Sequence, residues 1–286
     1  VADIVAVALA APAQRRAGLG AAFWAGLTWL AVVLGASLLA PLLPLADPLA
    51  TDLYQLSDPP SAQHWLGTDT LGRDTLSRMV YGAQVTLLVG IAAVLVGLVL
   101  GTTIGLLTGY FRGLVDIVGS WAVNVLLAFP PLILAMALAA FLGASLVNVI
   151  IAVGLISIPA FARLAHAATI QTANREFVLV ARSIGARHIR ILLAEIVPNV
   201  VRPVLTMAIT VIGFTMVTEG ALSFLGLGVP MPRPTWGGMI NEGRQQLLTS
   251  PWLVAAPAVA LLLTVLALNV VSERLTKRLG FGEVRS

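Results

Sequence analysis

The chain has no cysteine, a single lysine and only 10% charged residues in its 286. Each scarcity closes off a class of function. Without a thiol there is no disulfide framework, no zinc–thiolate centre and no cysteine nucleophile. The one lysine, Lys277, is followed by Arg278, so the Gly-x4-Gly-Lys-Ser/Thr phosphate-binding loop is missing and this chain cannot burn ATP through it. Gly-x-Ser-x-Gly and His-Glu-x-x-His are absent as well. The three histidines, His64, His166 and His188, fall on separate segments, so they form no common ligand set. No catalytic, cofactor-binding or metal-binding residue is assigned. Soluble domains carry roughly 25% charged residues, and this chain falls far short of that.

What is there is hydrocarbon. Hydrophobic residues make up 58% of the chain and the mean hydropathy is +0.96. Aromatics stay at 6%, leaving Leu, Val, Ala and Ile as the apolar mass. This is the composition of an all-α polytopic membrane protein. The pI near 10.3 does not point to nucleic acid, because the basic residues sit beside hydrophobic stretches, where membrane topology explains them. Residues 1–10 are apolar, but Arg15 and Arg16 follow them instead of preceding them, and ten residues are too few to cross a bilayer. Residues 1–20 therefore read as a cytoplasmic tail.

Six stretches are long enough to span: roughly 21–43, 84–108, 114–142, 146–166, 200–225 and 252–271. None alternates as a barrel strand would, so helices are expected. Pro130-Pro131 should kink the third. With the amino terminus inside, the inner segments hold Arg15, Arg16, Arg112, Arg163, Arg175, Arg182, Arg187, Arg190, Arg202, Arg274, Lys277, Arg278 and Arg285. Of the 17 basic residues only Arg73, Arg78, Arg233 and Arg244 are left outside. Both termini are then cytoplasmic by the positive-inside rule. The acidic outer segment, with Asp47, Asp52, Asp58, Asp69 and Asp74, agrees.

Within the second span Gly97, Gly101, Gly105 and Gly109 recur every four residues, a ridge of bare backbone that allows close helix packing. It can serve a neighbour in the same subunit, a partner subunit or the lining of a pathway. Polar residues at membrane depth are few: Asn124, Asn148 and Glu219, with Asp116 near an inner end. Glu219 lies toward the outer end and reads either as functional or as a partly wet structural carboxylate. So few charges argue against proton or sodium coupling, which needs carboxylates at mid-membrane.

Between the fourth and fifth spans the pattern turns amphipathic. Phe177, Val178, Val180, Ala181 and Ile184 keep helical spacing until Gly185 interrupts, and Ile189, Ile191 and Leu192 resume it. Ala181 and Gly185, four apart and both small, suggest a notch for another protein's groove, with Arg182, Arg187 and Arg190 available to an acidic rim. An interfacial helix on anionic lipid fits the same pattern. Pro198 and Pro203 sit where a new helix would begin. On the outer side, residues 64–81 read as a turn and a short amphipathic helix feeding the second span. Leu76, Met79, Val80 and Ala83 share its apolar face, with Arg73, Ser77 and Arg78 off it.

The segment resembles the cytoplasmic loop of ABC-importer permeases, where Glu-Ala-Ala is followed by a glycine four residues on and by Ile-x-Leu-Pro. Leu179-Val180-Ala181, Gly185 and Val197-Pro198 stand at those places, and Glu176 lies three residues before the position of the missing Glu. His64-Trp65-Leu66-Gly67-Thr68-Asp69 with Leu71-Gly72-Arg73-Asp74, the run Glu219-Gly220-Ala221-Leu222-Ser223-Phe224-Leu225-Gly226-Leu227-Gly228, and Trp236-Gly237 followed by Pro251-Trp252 all resemble dipeptide, oligopeptide and nickel permeases, specifically their C-type subunit. The resemblance implies a type I importer fold of six transmembrane helices in the plasma (inner) membrane. Its parts would be a tail (1–20), a first helix with outer segment (21–83), a permease core (84–273) with coupling segment 167–198, and a tail (274–286).

It further implies half of a translocation pathway for dipeptides or oligopeptides, with nickel or haem uptake as the alternative within the family. An ion-coupled secondary transporter is the alternative outside it. The implied partners are a homologous second permease, two ATPase subunits that hold ATP and Mg, an extracytoplasmic substrate-binding protein and the lipid bilayer, with no nucleic acid. The ATPase-coupling residues would be Glu176, Ala181, Arg182, Gly185, Ala186 and Arg187. Binding-protein docking would fall on Asp69, Arg73, Asp74, Arg233 and Trp236, and helix packing on Gly97, Gly101, Gly105 and Gly109.

Overall fold

The computed structural model describes residues 20–278. Residues 1–19 of the tail expected over 1–20 and the last residues of the 274–286 tail lie outside them. Among the described residues there are helices and one isolated antiparallel bridge, Thr68 to Asp74, but no strand. Helix α1 (Ala21–Leu39) continues into a 3₁₀ turn, Ala40–Leu42. An irregular outer segment leads to α2 (Thr75–Phe111). Then come α3 (Gly113–Leu127), α4 (Pro131–Leu142), α5 (Leu146–Ala173) and the short α6 (Glu176–Ser183). Helix α7 (His188–Phe224), α8 (Trp236–Gly243) and α9 (Trp252–Arg278) complete the chain.

Five of these are long and apolar enough to cross a membrane among the described residues, six if the bent pair α3–α4 counts as one span. Sequence placed the third crossing over 114–142 with a kink. The break is sharper than a kink, with the two halves meeting at 89°. The boundaries elsewhere are set by capping. Asp74 Oδ2 accepts from the Ser77 N–H at 2.7 Å and starts α2, and Ser145 Oγ accepts from the Asn148 N–H at 3.1 Å and starts α5. Consequently α2 is one continuous 37-residue helix, and the separate elbow helix expected before the second span does not exist.

A second expectation also changes. Pro198 does not open a new helix: α7 is already under way at His188 and takes up the proline through a π-helical turn over Ile191–Ile196. Pro198 lacks the N–H that would bind the preceding turn, and widening that turn lets the helix continue.

The glycine ridge meets α5 within the subunit. A Cβ at Gly97 would lie 2.7 Å from Ser157 Cβ, at Gly101 2.5 Å from Ile158 O, at Gly105 2.4 Å from Ala162 O, and at Gly109 2.8 Å from Thr169 Cβ. On α5, Gly154 answers Val96 in the same way, at 2.8 Å. The two backbones touch along four turns, which only glycine permits. Helix α7 packs on both members of this pair, and α1 lies on α9, where Trp29 Nε1 donates to Thr264 Oγ1 at 3.0 Å.

Candidate functional site

Two polar assemblies stand at opposite ends of α2. The inner one is built on α6. Val178 is fully buried and shares an apolar cluster with Tyr110, Phe161, Ile191 and Ile196. That anchor turns the opposite face outward, leaving Phe177, Val180 and Ile184 40, 60 and 79% exposed. Their spacing of three and four residues puts them on one stripe. Glu176 opens the helix and Arg182 closes it, each with the sign its end favours.

The helix ends by a paired closure. The Ala186 N–H donates to Ala181 O and the Gly185 N–H to Arg182 O, both at 3.0 Å. This arrangement needs a left-handed residue after the cap, and Gly185 supplies it at φ 79°. The structure adds a backbone role to the pair expected to form one small docking face. Ala181 and Ala186 pack back against the bundle, and Gly185 serves as the terminator, with open space where a side chain would be. Tyr110, buried at the end of α2, ties the segment down. Its hydroxyl bonds His188 Nδ1 at 2.9 Å, and the Arg182 guanidinium carbon lies 5.4 Å from its ring centroid. Arg175, Arg187 and Arg190 remain exposed around the stripe.

The outer assembly is a buried charge cluster. Arg73 Nε donates to Asp69 at 2.6 Å and its Nη2 to Glu242 at 2.7 Å. Arg78 Nη2 donates to both Glu242 oxygens at 3.0 and 2.9 Å, and its Nε lies 3.1 Å from Asp69. Beside it, His64 Nδ1 is 2.8 Å from Asp74. Two guanidinium groups thus face two carboxylates, which is how buried charge is tolerated.

The expected binding-protein contacts Asp69, Arg73 and Asp74 are buried and used up within the chain. Trp236 is also buried, donating from Nε1 to Met79 O at 3.0 Å. Of the five residues expected at that surface only Arg233 is exposed. Leu53, Tyr54, Trp65 and Leu248 of the outer segments are largely exposed. Arg78, expected off the apolar face of an elbow, is drawn inside by Asp69 and Glu242.

Glu219 is fully buried, accepting from Ser223 Oγ at 2.6 Å, so the partly wet reading is corrected too. Asn148 closes the turn before α5 by donating to Leu142 O and Gly143 O. Asp116 accepts from Ser120 Oγ at 2.8 Å, and His166 Nδ1 bonds Thr108 Oγ1 at 2.9 Å. His64 thus stands at the outer end of α2, while His166 and His188 are held at its inner end by Thr108 and Tyr110. Glu242 and Tyr110 were not singled out by sequence. Their partners lie far along the chain, so no local spacing signals them.

Residues 101–281 match the family model described as the binding-protein-dependent transport system inner membrane component. The chain belongs to this family. The glutathione transport system permease protein GsiD of Pectobacterium atrosepticum is 42% identical over 224 residues, covering 78% of this chain and 74% of that protein. The dipeptide transport system permease protein DppC of Alkalihalophilus pseudofirmus is 38% identical over 239 residues, covering 84 and 79%. Among solved structures, an inward-facing MetNI methionine ABC transporter chain aligns with a TM-score of 0.57 at 17% identity, over 70% of this chain and 95% of that one. The fold is the type I importer permease fold. This inner membrane component is a multi-pass permease subunit and not an enzyme, since ATP hydrolysis resides in the separate subunits of such transporters.

Proposed function

We propose that this permease forms one half of the translocation pathway of an ATP-driven importer for small peptides, such as dipeptides, oligopeptides or glutathione. The substrate class is supported by the names of its relatives, one a glutathione and the other a dipeptide permease. The observation that carries the mechanism is the outward apolar stripe Phe177–Val180–Ile184 on a helix fixed by Val178, Tyr110 and the Gly185 closure. A short, rigidly seated helix with an apolar ridge and an arginine rim suits insertion into a groove on an ATPase subunit.

Two ATPases, holding ATP and Mg²⁺, would close on each other and move the docked helices. A homologous second permease supplies the other half of the pathway, and an extracytoplasmic binding protein delivers the peptide. That protein would rest on the outer surface around Tyr54, Trp65, Arg233 and Leu248. The membrane spans then rock as rigid bodies to alternate access.

Reconstitution of this chain with its partner permease, ATPases and binding protein in vesicles tests the reading. Uptake of radiolabelled dipeptide or glutathione should require ATP and every partner. Uptake by this chain alone, driven by a proton or sodium gradient, would sink it.

A further inference from the structure

Backbone that leaves helical geometry inside a bilayer has to find hydrogen-bonding company. The break between α3 and α4 lacks it within this chain. Pro130 and Pro131 have no N–H, so the carbonyls of Leu126 and Leu127 lose the donors expected four residues on. The Ala128 N–H turns back to Asn124 O and Val125 O at 3.0 and 3.2 Å. Among the described residues no backbone hydrogen bond reaches the carbonyl oxygens of Leu126, Leu127, Ala128 or Phe129. Residues 127–133 are all exposed on the chain's surface.

The depth of the break follows from α5. Just before it, Asn124 Oδ1 accepts from Arg163 Nη2 at 3.2 Å. Just after it, Ala135 joins the cluster of Val149 and Val153. At 1.5 Å per residue, the break sits between about 5 and about 25 Å from the outer end of a helix about 42 Å long. That is the hydrocarbon zone. Acyl chains offer no donors, so irregular backbone there is stable only inside protein or against water.

A second feature decides between those two. From the break toward the cytoplasm, Asn124, Ser120, Arg163 and His166 line an open cavity of about 200 Å³ between α2, α3 and α5. Arg163 and Asn124 are exposed there. A guanidinium and polar side chains continue inward from the free carbonyls, and ionisable groups at this depth face bundle interiors or water, not lipid.

We infer that the Leu126–Pro130 break lines the aqueous pathway at mid-depth and that the track through Asn124 and Arg163 is its cytoplasmic side. The free carbonyls solvate the passing solute where a regular helix would show it only side chains. The inference rests on the permease reading and assigns pathway-lining residues to it.

The chain's lack of cysteine gives a clean test. Ala128→Cys and Phe129→Cys are introduced singly into the complete transporter in vesicles, and labelling of this chain is followed by mass with and without ATP. A charged, membrane-impermeant methanethiosulfonate reagent should modify both positions in at least one nucleotide state, at a rate at least tenfold above Leu262→Cys, an exposed apolar site on α9. Reaction only with a lipid-soluble maleimide, or no reaction together with cross-linking of these cysteines to the partner permease, overturns the inference. Uptake in the same vesicles keeps the two readings apart. ATP-driven uptake without aqueous labelling removes the pathway assignment alone, whereas failure of the unmodified assembly to transport removes the function itself.

Discussion

Arg78 on α2 and Glu242 on α8, 164 residues apart, are joined by two hydrogen bonds of 3.0 and 2.9 Å from one guanidinium nitrogen. Arg73 shares the same carboxylate at 2.7 Å. Removing the acid leaves two buried cations against Asp69 alone. Glu242→Gln should therefore destabilise the assembled permease by about 3 kcal/mol, the scale of a broken buried pair. Thermal unfolding of the purified complex in detergent measures it. The double substitution Arg78→Met with Glu242→Met should recover part of the loss, because it leaves one balanced buried pair, Arg73 with Asp69, in place of two cations against one carboxylate.

The α2–α5 seam gives a second expectation. Gly105→Leu would drive a side chain into Ala162 O and Ala165 Cβ, which already stand 2.4 and 2.7 Å from where its first carbon would be. Both obstacles belong to a helix backbone or lie next to it, so they cannot swing aside. The loss should be at least the ~1–3 kcal/mol of an overpacked core. It would appear as lower yield of folded complex and a lower melting temperature. The same change at Gly35, which has nothing within 4 Å, should be mild.

Gly185 separates conformation from bulk. Nothing would meet a Cβ there, but φ is 79°. A β-branched residue pays roughly 1–2 kcal/mol for that region, while asparagine tolerates it. Gly185→Val should thus reduce ATP-driven uptake strongly and loosen ATPase association, and Gly185→Asn should keep most of both. A docking role that depended on smallness alone predicts that both variants fail, and co-purification of the ATPase distinguishes the cases.

The stripe on α6 can be altered without touching the core. Val180→Asp and Ile184→Asp change exposed side chains, so the permease should stay within ~0.5 kcal/mol of its normal stability. ATPase co-purification and peptide-stimulated ATP hydrolysis should nevertheless fall at least tenfold. Val178→Asp, by contrast, should unfold the segment, since Val178 is fully buried.

How much of this was readable in sequence depended on the reach of the interaction. Spans, glycine ridge and proline break are written in local spacing, and each appears in the structure close to where hydrophobicity and small residues indicate. The amphipathic segment at 176–184 was visible for the same reason, but its inward and outward faces were not. Val178 and Val180 look alike in a sequence, and only packing against Phe161 and Ile191 decides which one is buried. The outer cluster was illegible in a different way. Asp69, Arg73 and Asp74 read as a charged surface, and only Glu242, arriving from far along the chain, completes the pairing of Arg73 and Arg78 that draws the cluster inside. Gly185 was noticed for its size and matters for its backbone angle, a property that composition does not carry.

One consequence follows from the unbroken run of α2. At 1.5 Å per residue its 37 residues reach about 55 Å, well past the ~30 Å of hydrocarbon. Asp74 and Arg78 stand at one end, set in the outer charges, and Tyr110 stands at the other, between Arg182 and His188. Lashed to α5 along four turns, this beam has no joint at which to absorb a push. On the transport reading proposed above, a displacement of the cytoplasmic foot would become a tilt at the external crown, and news of an arriving cargo would travel inward along the same shaft.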